Sequence, residues 1–285
     1  MNTQRTFLVG CPRSGTTLLQ SMVASHPKVL SFPETHFFSD TLPINPLLRR
    51  LMLHGRRSRR VVLRFLEENG YGELQPFRGR SPFKFYTYRG WCRTLIDIID
   101  RMIVREARKN RMNGTIWGLE KTPRHLHYIS SIEETGPASK FLHILRSGPD
   151  VVASLYLATN QYPEQWGGKR SIKKCIRWWN DSLRESLKYR RKSNHILVTY
   201  EQLIEDPETV LRAICGFLEL DFSKEMLQRY HTTADALTRE EEKWKDQNRS
   251  KSLNKSQKLN AHFDPDTVRY IREQVLPVNL KDFYH

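Results

Sequence analysis

Residues 7–22 read FLVGCPRSGTTLLQSM, Phe7 to Met22. The apolar run Thr6–Cys11 suits a buried strand. Gly10 stands near its end, four residues follow, Gly15 arrives, and Leu18, Leu19, Met22 and Val23 then share one helical face. A strand, a glycine-flanked loop and a helix start make an anion cradle, because loop N–H groups and the helix N-terminus point at the ligand. In the nucleotide-triphosphatase loop G-x-x-x-x-G-K-[ST], the lysine reaches the β- and γ-phosphates and the final hydroxyl binds magnesium. Here Thr16 takes the lysine's place and Thr17 keeps the hydroxyl. Arg13 brings a planar fork suited to a tetrahedral oxyanion. The plain structural alternative is a strand–turn–helix connection capped by Ser14 or Thr16.

Three further runs are continuously apolar and β-branched: Val29–Glu34, Lys140–Arg146 and His195–Tyr200, with a weaker one at Thr115–Glu120. Continuous apolarity suits buried strands of a parallel sheet. Cys92, Leu95, Ile96, Ile99, Met102 and Ile103 repeat at helical spacing between them. The alternation predicts an α/β fold, with a central parallel sheet flanked by helices, organised as one domain over residues 1–285. Functional residues are then expected at the carboxyl ends of strands.

Charge narrows the partner class. The chain of 285 residues carries a formal net charge of +16, which favours an anionic partner. Part of it sits in RRLMLHGRRSRRVVLR, Arg49–Arg64, read either as a solvated helix or loop face or as a patch for an anionic acceptor or membrane surface. No aromatic–basic module argues for nucleic acid. The cysteines Cys11, Cys92, Cys175 and Cys215 form no CxxC pair or zinc-like spacing. With no signal-peptide pattern and no long apolar run, this predicts reduced thiols in a cytoplasmic protein.

The strand Lys140–Arg146 ends in arginine, where a triphosphatase wants an acid to hold magnesium. Ser154 lies eight residues later, in a helix starting near Pro149. Together they suit a second phosphate. With Pro12–Thr17 and Arg146/Ser154 in this order, the chain resembles sulfotransferases that use 3′-phosphoadenosine 5′-phosphosulfate (PAPS). The stretch VTYEQLIEDPETVLRAICGFLEL, Val198–Leu220, resembles that family's strand, YExL and DP-helix segment. Asp206-Pro207 also reads as N-cap and first helical residue.

The resemblance implies a P-loop-like fold in which Pro12, Arg13, Ser14, Gly15, Thr16 and Thr17 hold the 5′-phosphosulfate. Arg146 and Ser154 would hold the 3′-phosphate, with no metal required. Glu34 follows the second strand, in ETHFF, a stretch similar to one in heparan sulfate 3-O-sulfotransferases, where the Glu is the general base. His36 is the orienting group or the reserve base. The alternative for Glu34 is a carboxylate at the next helix start. LEKTPRHLHYI, Leu119–Ile129, resembles an E-K-[ST]-P stretch and gives Lys121 a place near the transferred group, where it and Arg13 would stabilise charge on the sulfuryl group and leaving oxygen. Thr122-Pro123 reads as a helix start, His125 and His127 as ordinary helix positions, and Trp178 and Trp179 as packing residues of an amphipathic helix. The polar stretch Lys243–Lys258, with Trp244, reads as a surface loop, or by family analogy as a lid. A helical insertion at about residues 41–110 is expected on the acceptor side. The acceptor itself is a hydroxyl on a glycan, glycolipid, tyrosine or small metabolite. A P-loop kinase or nucleotidase using ATP or GTP is the alternative.

Overall fold

A computed structural model describes residues 2–77, 86–237 and 258–278. In chain order the elements begin β1 (Asn2–Gly10), α1 (Thr16–Ala24), β2 (Val29–Ser31), α2 (Phe37–Thr41), α3 (Pro46–Leu51), α4 (Arg56–Glu68), α5 (Tyr88–Lys109) and β3 (Thr115–Lys121). A 3₁₀ turn, Pro123–Tyr128, leads to α6 (Ile129–Thr135), β4 (Lys140–Leu145), α7 (Gly148–Gln161), α8 (Pro163–Trp166), α9 (Ile172–Leu187) and β5 (His195–Thr199). The chain continues through α10 (Tyr200–Glu205), α11 (Pro207–Phe217), α12 (Glu225–Gln228), α13 (Tyr230–Leu237), α14 (Lys258–His262) and α15 (Pro265–Gln274). Among the described residues five strands form one sheet in the order β2-β3-β1-β4-β5. This is the expected α/β architecture.

The strand limits differ from the sequence expectation in instructive ways. β1 reaches back to Asn2, and Cys11 falls in the loop. β2 stops at Ser31, so Phe32–Glu34 lie beyond the strand; Pro33 has no N–H to continue a ladder. The weak run is a full strand, β3, and its Gly118 is required by packing. A Cβ there would meet Ile103 of α5 at 2.2 Å.

The chain forms two compact units. The first comprises residues 1–7 and 28–140. In it β2 and β3 pair in parallel, with Val29 opposite Trp117 and Ser31 opposite Leu119. Helix α5 buries Trp91, Cys92, Leu95, Ile98, Ile99 and Met102, the spacing of an amphipathic helix. The region expected as a helical insertion is helical in α3, α4 and α5. Arg49, expected on a solvated face, is instead 2% exposed.

The second unit comprises residues 8–27 and 141–285. Here β4 and β5 pair in parallel from Phe141 opposite His195 to Leu145 opposite Thr199. A core of Leu145, Val151, Val152, Leu155, Ile176 and Trp179 joins β4, α7 and α9. Trp179 is fully buried, whereas Trp178 is half-buried with the Arg170 guanidinium 4.4 Å from its ring. Gly148 is needed at the start of α7, because a Cβ would meet Trp179 Nε1 at 2.2 Å. Asp206 caps α11 by accepting from Thr209 N at 3.2 Å, as its sequence predicts. Of the stretch 243–258, Trp244 and everything else up to residue 257 lie outside the described residues; Lys258 opens α14.

Candidate active site

In the second unit the loop after β1 turns at Pro12-Arg13, where Ser14 N donates to Cys11 O at 3.1 Å. Arg13 has φ 74° and Gly15 φ 98°. The arginine's left-handed backbone is costly for a residue with a Cβ, and such strain collects at functional loops. Both glycines are dictated by contact. A Cβ on Gly10 would lie 2.6 Å from Ile144 O, and one on Gly15 would lie 2.4 Å from Tyr200 Cδ2. Thr16 and Thr17 open α1, whose first turn contains no acidic residue and no side-chain cap. The capping alternative for Ser14 and Thr16 therefore does not hold. Gly15 is the cap residue, and Ser14 Oγ is buried with no hydrogen-bond partner.

The second phosphate motif lies against the same loop. Arg13 Nε donates to Ser154 Oγ at 3.2 Å, and Arg146 Nη1 donates to Arg13 O at 3.4 Å. Arg146 is 9% exposed, its Nε has no partner, and its guanidinium stands 4.2 Å from the Tyr200 ring centroid. These contacts explain YExL. Tyr200 supports both Gly15 and Arg146, Glu201 Oε1 accepts from Ser147 N at 2.9 Å, and Leu203 is fully buried.

Lys258 adds a third cation that the sequence reading did not single out. Burial first, then the charges of Arg13 and Arg146, push its ammonium down to about 8. Two arginines, a buried unpartnered hydroxyl, an unpartnered guanidinium N–H and a helix N-terminus form a cradle for phosphate oxyanions, and Lys258 lies within reach of both arginines' charge. The residues therefore fit a phosphorylated nucleotide.

The first unit holds the other predicted residues. Lys121, at the end of β3, donates from Nζ to Glu34 Oε1, and His36 Nε2 lies 3.4 Å from Glu34 Oε2. Lys121 is 2% exposed and Glu34 17%. The structure thus brings Glu34, His36 and Lys121 together. Glu34 lies three residues before α2, whose cap residue is His36, so it does not supply that helix's cap. His36 has φ 53°, a second strained non-glycine backbone.

A buried network fixes this trio, and sequence reasoning missed it. Glu120 Oε1 accepts from Thr35 Oγ1 at 2.9 Å, Thr35 N at 3.3 Å and Thr122 Oγ1 at 2.6 Å. Thr122 and Pro123 do open the 3₁₀ turn, with Thr122 in the cap position, but the Thr122 side chain makes no cap bond. Its hydroxyl serves Glu120 and accepts from His36 N at 3.3 Å. His125 is likewise no ordinary helix position. It is fully buried, Nδ1 lies 3.0 Å from Glu120 Oε2, and Nε2 accepts from Phe38 N at 3.3 Å. The accepting Nε2 places the proton on Nδ1, which donates to Glu120. Burial pushes the Glu120 carboxyl up, but His125, then Thr122 and Thr35, outweigh it and hold it below the usual 4.5. The signal available in sequence was a carboxylate inside an apolar strand, followed by Thr122 and His125.

Residues 5–224 match the Sulfotransferase family. A protein-tyrosine sulfotransferase of Drosophila melanogaster is 26% identical over 224 residues, covering 78% of this chain and 39% of the relative. Protein-tyrosine sulfotransferase A of Caenorhabditis elegans is 24% identical over 224 residues, covering 78% of this chain and 51% of that one. The chain thus spans about half or less of these relatives. Among solved structures, the sulfotransferase domain from the curacin biosynthetic pathway aligns with TM-score 0.53 at 17% identity, covering 99% of this chain and 94% of that one. Mouse sulfotransferase SULT7A1, complexed with PAP, aligns with TM-score 0.52 at 12% identity, covering 99% and 90%. These two likenesses show a shared fold. With a family match running from β1 through α11, the chain belongs to the sulfotransferase family.

Proposed function

We propose that the protein transfers a sulfuryl group from PAPS to an acceptor hydroxyl. The observation that supports this most is Arg146. Where a magnesium-nucleotide enzyme wants a carboxylate at the strand end, β4 is followed by a guanidinium bonded to the first loop's backbone. Pro12–Thr17 hold the 5′-phosphosulfate, with Arg13 and Thr17 as its side-chain donors. Arg146, Ser154 and Lys258 hold the 3′-phosphate. When bound, such a donor supplies the sulfuryl group exchanged for the acceptor's hydroxyl proton. Glu34 takes that proton, and Arg13 and Lys121 stabilise the charge that develops on the sulfuryl group and the leaving oxygen. His36 orients the carboxylate. The relatives' names make a peptide tyrosine the first acceptor to assay.

Thermal unfolding with adenosine 3′,5′-bisphosphate, against AMP, ADP and ATP with and without magnesium, tests the donor site. Ligand at about 100 times its dissociation constant stabilises by about 2.7 kcal/mol. Selective stabilisation by the bisphosphate without magnesium is expected. Stabilisation by magnesium-ATP alone would put the kinase reading first. For the acceptor side, Glu34→Gln should lose about 10²–10⁴-fold in turnover while still binding the bisphosphate. Near-normal turnover would move the base to His36.

A further inference from the structure

Within the first unit, the stretch from Thr41 to Leu66 contains no aspartate or glutamate, while arginines recur through it. The large apolar side chains exposed among the described residues all fall inside it: Ile44 62%, Leu47 75%, Leu48 53%, Leu51 80%, Met52 40% and Leu53 62%. Scattered single apolar residues on a surface are ordinary, but a contiguous strip marks an interaction site.

Helix α3 within this strip is inverted. Its one buried side chain is Arg49, and its leucines face solvent. The inversion is built in. Arg49 Nε donates to Pro43 O at 2.6 Å, Nη2 to Ile44 O and His127 O at 2.7 Å each, and Nη1 to Ser131 Oγ at 3.2 Å. Its guanidinium stands 4.2 Å from the Tyr128 ring centroid. Asn45 caps the helix, accepting from Leu47 N at 2.9 Å, and Pro46 takes the first turn. The buried guanidinium thus anchors a short helix from behind and turns its leucines outward.

Arg50 lies in the strip, and Arg56 and Arg57 follow Leu53 by three and four residues, all exposed. Four residues of chain span at most about 14 Å, so these charges rim the leucines. Arg60 and Arg64 continue the exposed basic row on α4.

We propose that the strip Ile44–Leu53, with the arginines that follow it, seats the protein on an anionic lipid bilayer. Aliphatic side chains beside uninterrupted positive charge are what an interface of acyl chains and acidic headgroups receives. Nucleic acid would reward the arginines but not six exposed aliphatic groups, and would call for stacking aromatics. A protein partner would have to be acidic along the whole rim.

The test is co-sedimentation of the full chain with vesicles of phosphatidylcholine, or of phosphatidylcholine mixed with phosphatidylserine. The chain should pellet with the mixed vesicles and stay in solution with the neutral ones. Leu47→Asp/Leu51→Asp, at exposed positions, should keep the wild-type unfolding temperature and lose at least roughly tenfold in partitioning. Arg57→Gln and Arg60→Gln should each lose roughly fivefold. Three results would overturn the proposal: no pelleting with mixed vesicles; equal pelleting of the leucine variant, meaning net charge alone; or a vesicle-free dimer that the leucine variant abolishes, meaning that a second copy covers the strip.

Discussion

Arg13 Nε donates to Ser154 Oγ at 3.2 Å across 141 residues of sequence. One residue belongs to the first phosphate motif and the other to the second, so the two motifs are coupled through a direct bond. Residues in contact are not additive, with interaction energies of about 0.5–3 kcal/mol. Arg13→Ala and Ser154→Ala should each weaken binding of adenosine 3′,5′-bisphosphate, and the double variant should depart from their sum by that amount. Calorimetric titration of the four proteins measures it. Strict additivity would mean that the bond carries no weight in nucleotide binding.

Lys258 gives the same site a pH limb. Burial and the neighbouring arginines place its ammonium at about 8, so its charge is present at neutral pH and lost as pH rises through that value. Bisphosphate affinity should therefore fall above about pH 8. Lys258→Met should lose roughly 10–100-fold at neutral pH, the worth of one charge-assisted hydrogen bond, and should show no limb there. Lys258→Arg should restore affinity and keep it flat. A limb that survives in Lys258→Arg belongs to another group.

The Glu34–Lys121 pair predicts an asymmetry in stability. Lys121 is 2% exposed and Glu34 17%. Removing one partner of a buried ion pair costs up to about 3–5 kcal/mol, while removing both together can be close to neutral. Glu34→Gln should be the less stable single variant, because it leaves the more deeply buried Lys121 ammonium without its carboxylate while Glu34 would keep His36 beside it, and adding Lys121→Met should recover part of the loss. Urea unfolding of the two single variants and the double variant decides it. A double variant as unstable as the sum would show that the two side chains do not support one another.

What could be read from the sequence was local. The glycine spacing around Gly10–Gly15, the arginine ending Lys140–Arg146 and the carboxylate of Glu34 each sit beside a strand pattern that announces them. What escaped depends on partners distant in sequence. Lys258 lies 104 residues beyond Ser154 in a charge-rich stretch with no period of its own. Arg49 looks like one member of a solvated basic run, and acceptors that the run does not announce, among them carbonyls at Pro43, Ile44 and His127 and the Ser131 hydroxyl, offset the cost of its burial. Thr122 carries an N-cap pattern, yet a carboxylate two residues away competes for its hydroxyl and wins.

Glu120 is the test of how far that competition matters. Its carboxylate ties Thr35 and Thr122 together on one oxygen and faces His125 on the other. It thereby fixes the residue that follows Glu34 and the one that follows Lys121, making it a positioning residue. Glu120→Gln presents an amide N–H₂ where hydroxyl and ring donors need an acceptor, which costs about 1–3 kcal/mol. Turnover should fall with the bisphosphate dissociation constant unchanged, a split that general destabilisation would not produce. The pH dependence supplies the second readout. Because the folded carboxyl lies below 4.5, its contribution to stability is complete above about that pH and is lost as pH falls through the folded value. Wild type and Glu120→Gln should therefore differ most in unfolding temperature near neutral pH, and the gap should close in acid. A gap that stays constant as the pH is lowered would mean that Glu120 is not ionised in the fold, and the clamp on Glu34 would have to be argued from its hydroxyl partners alone.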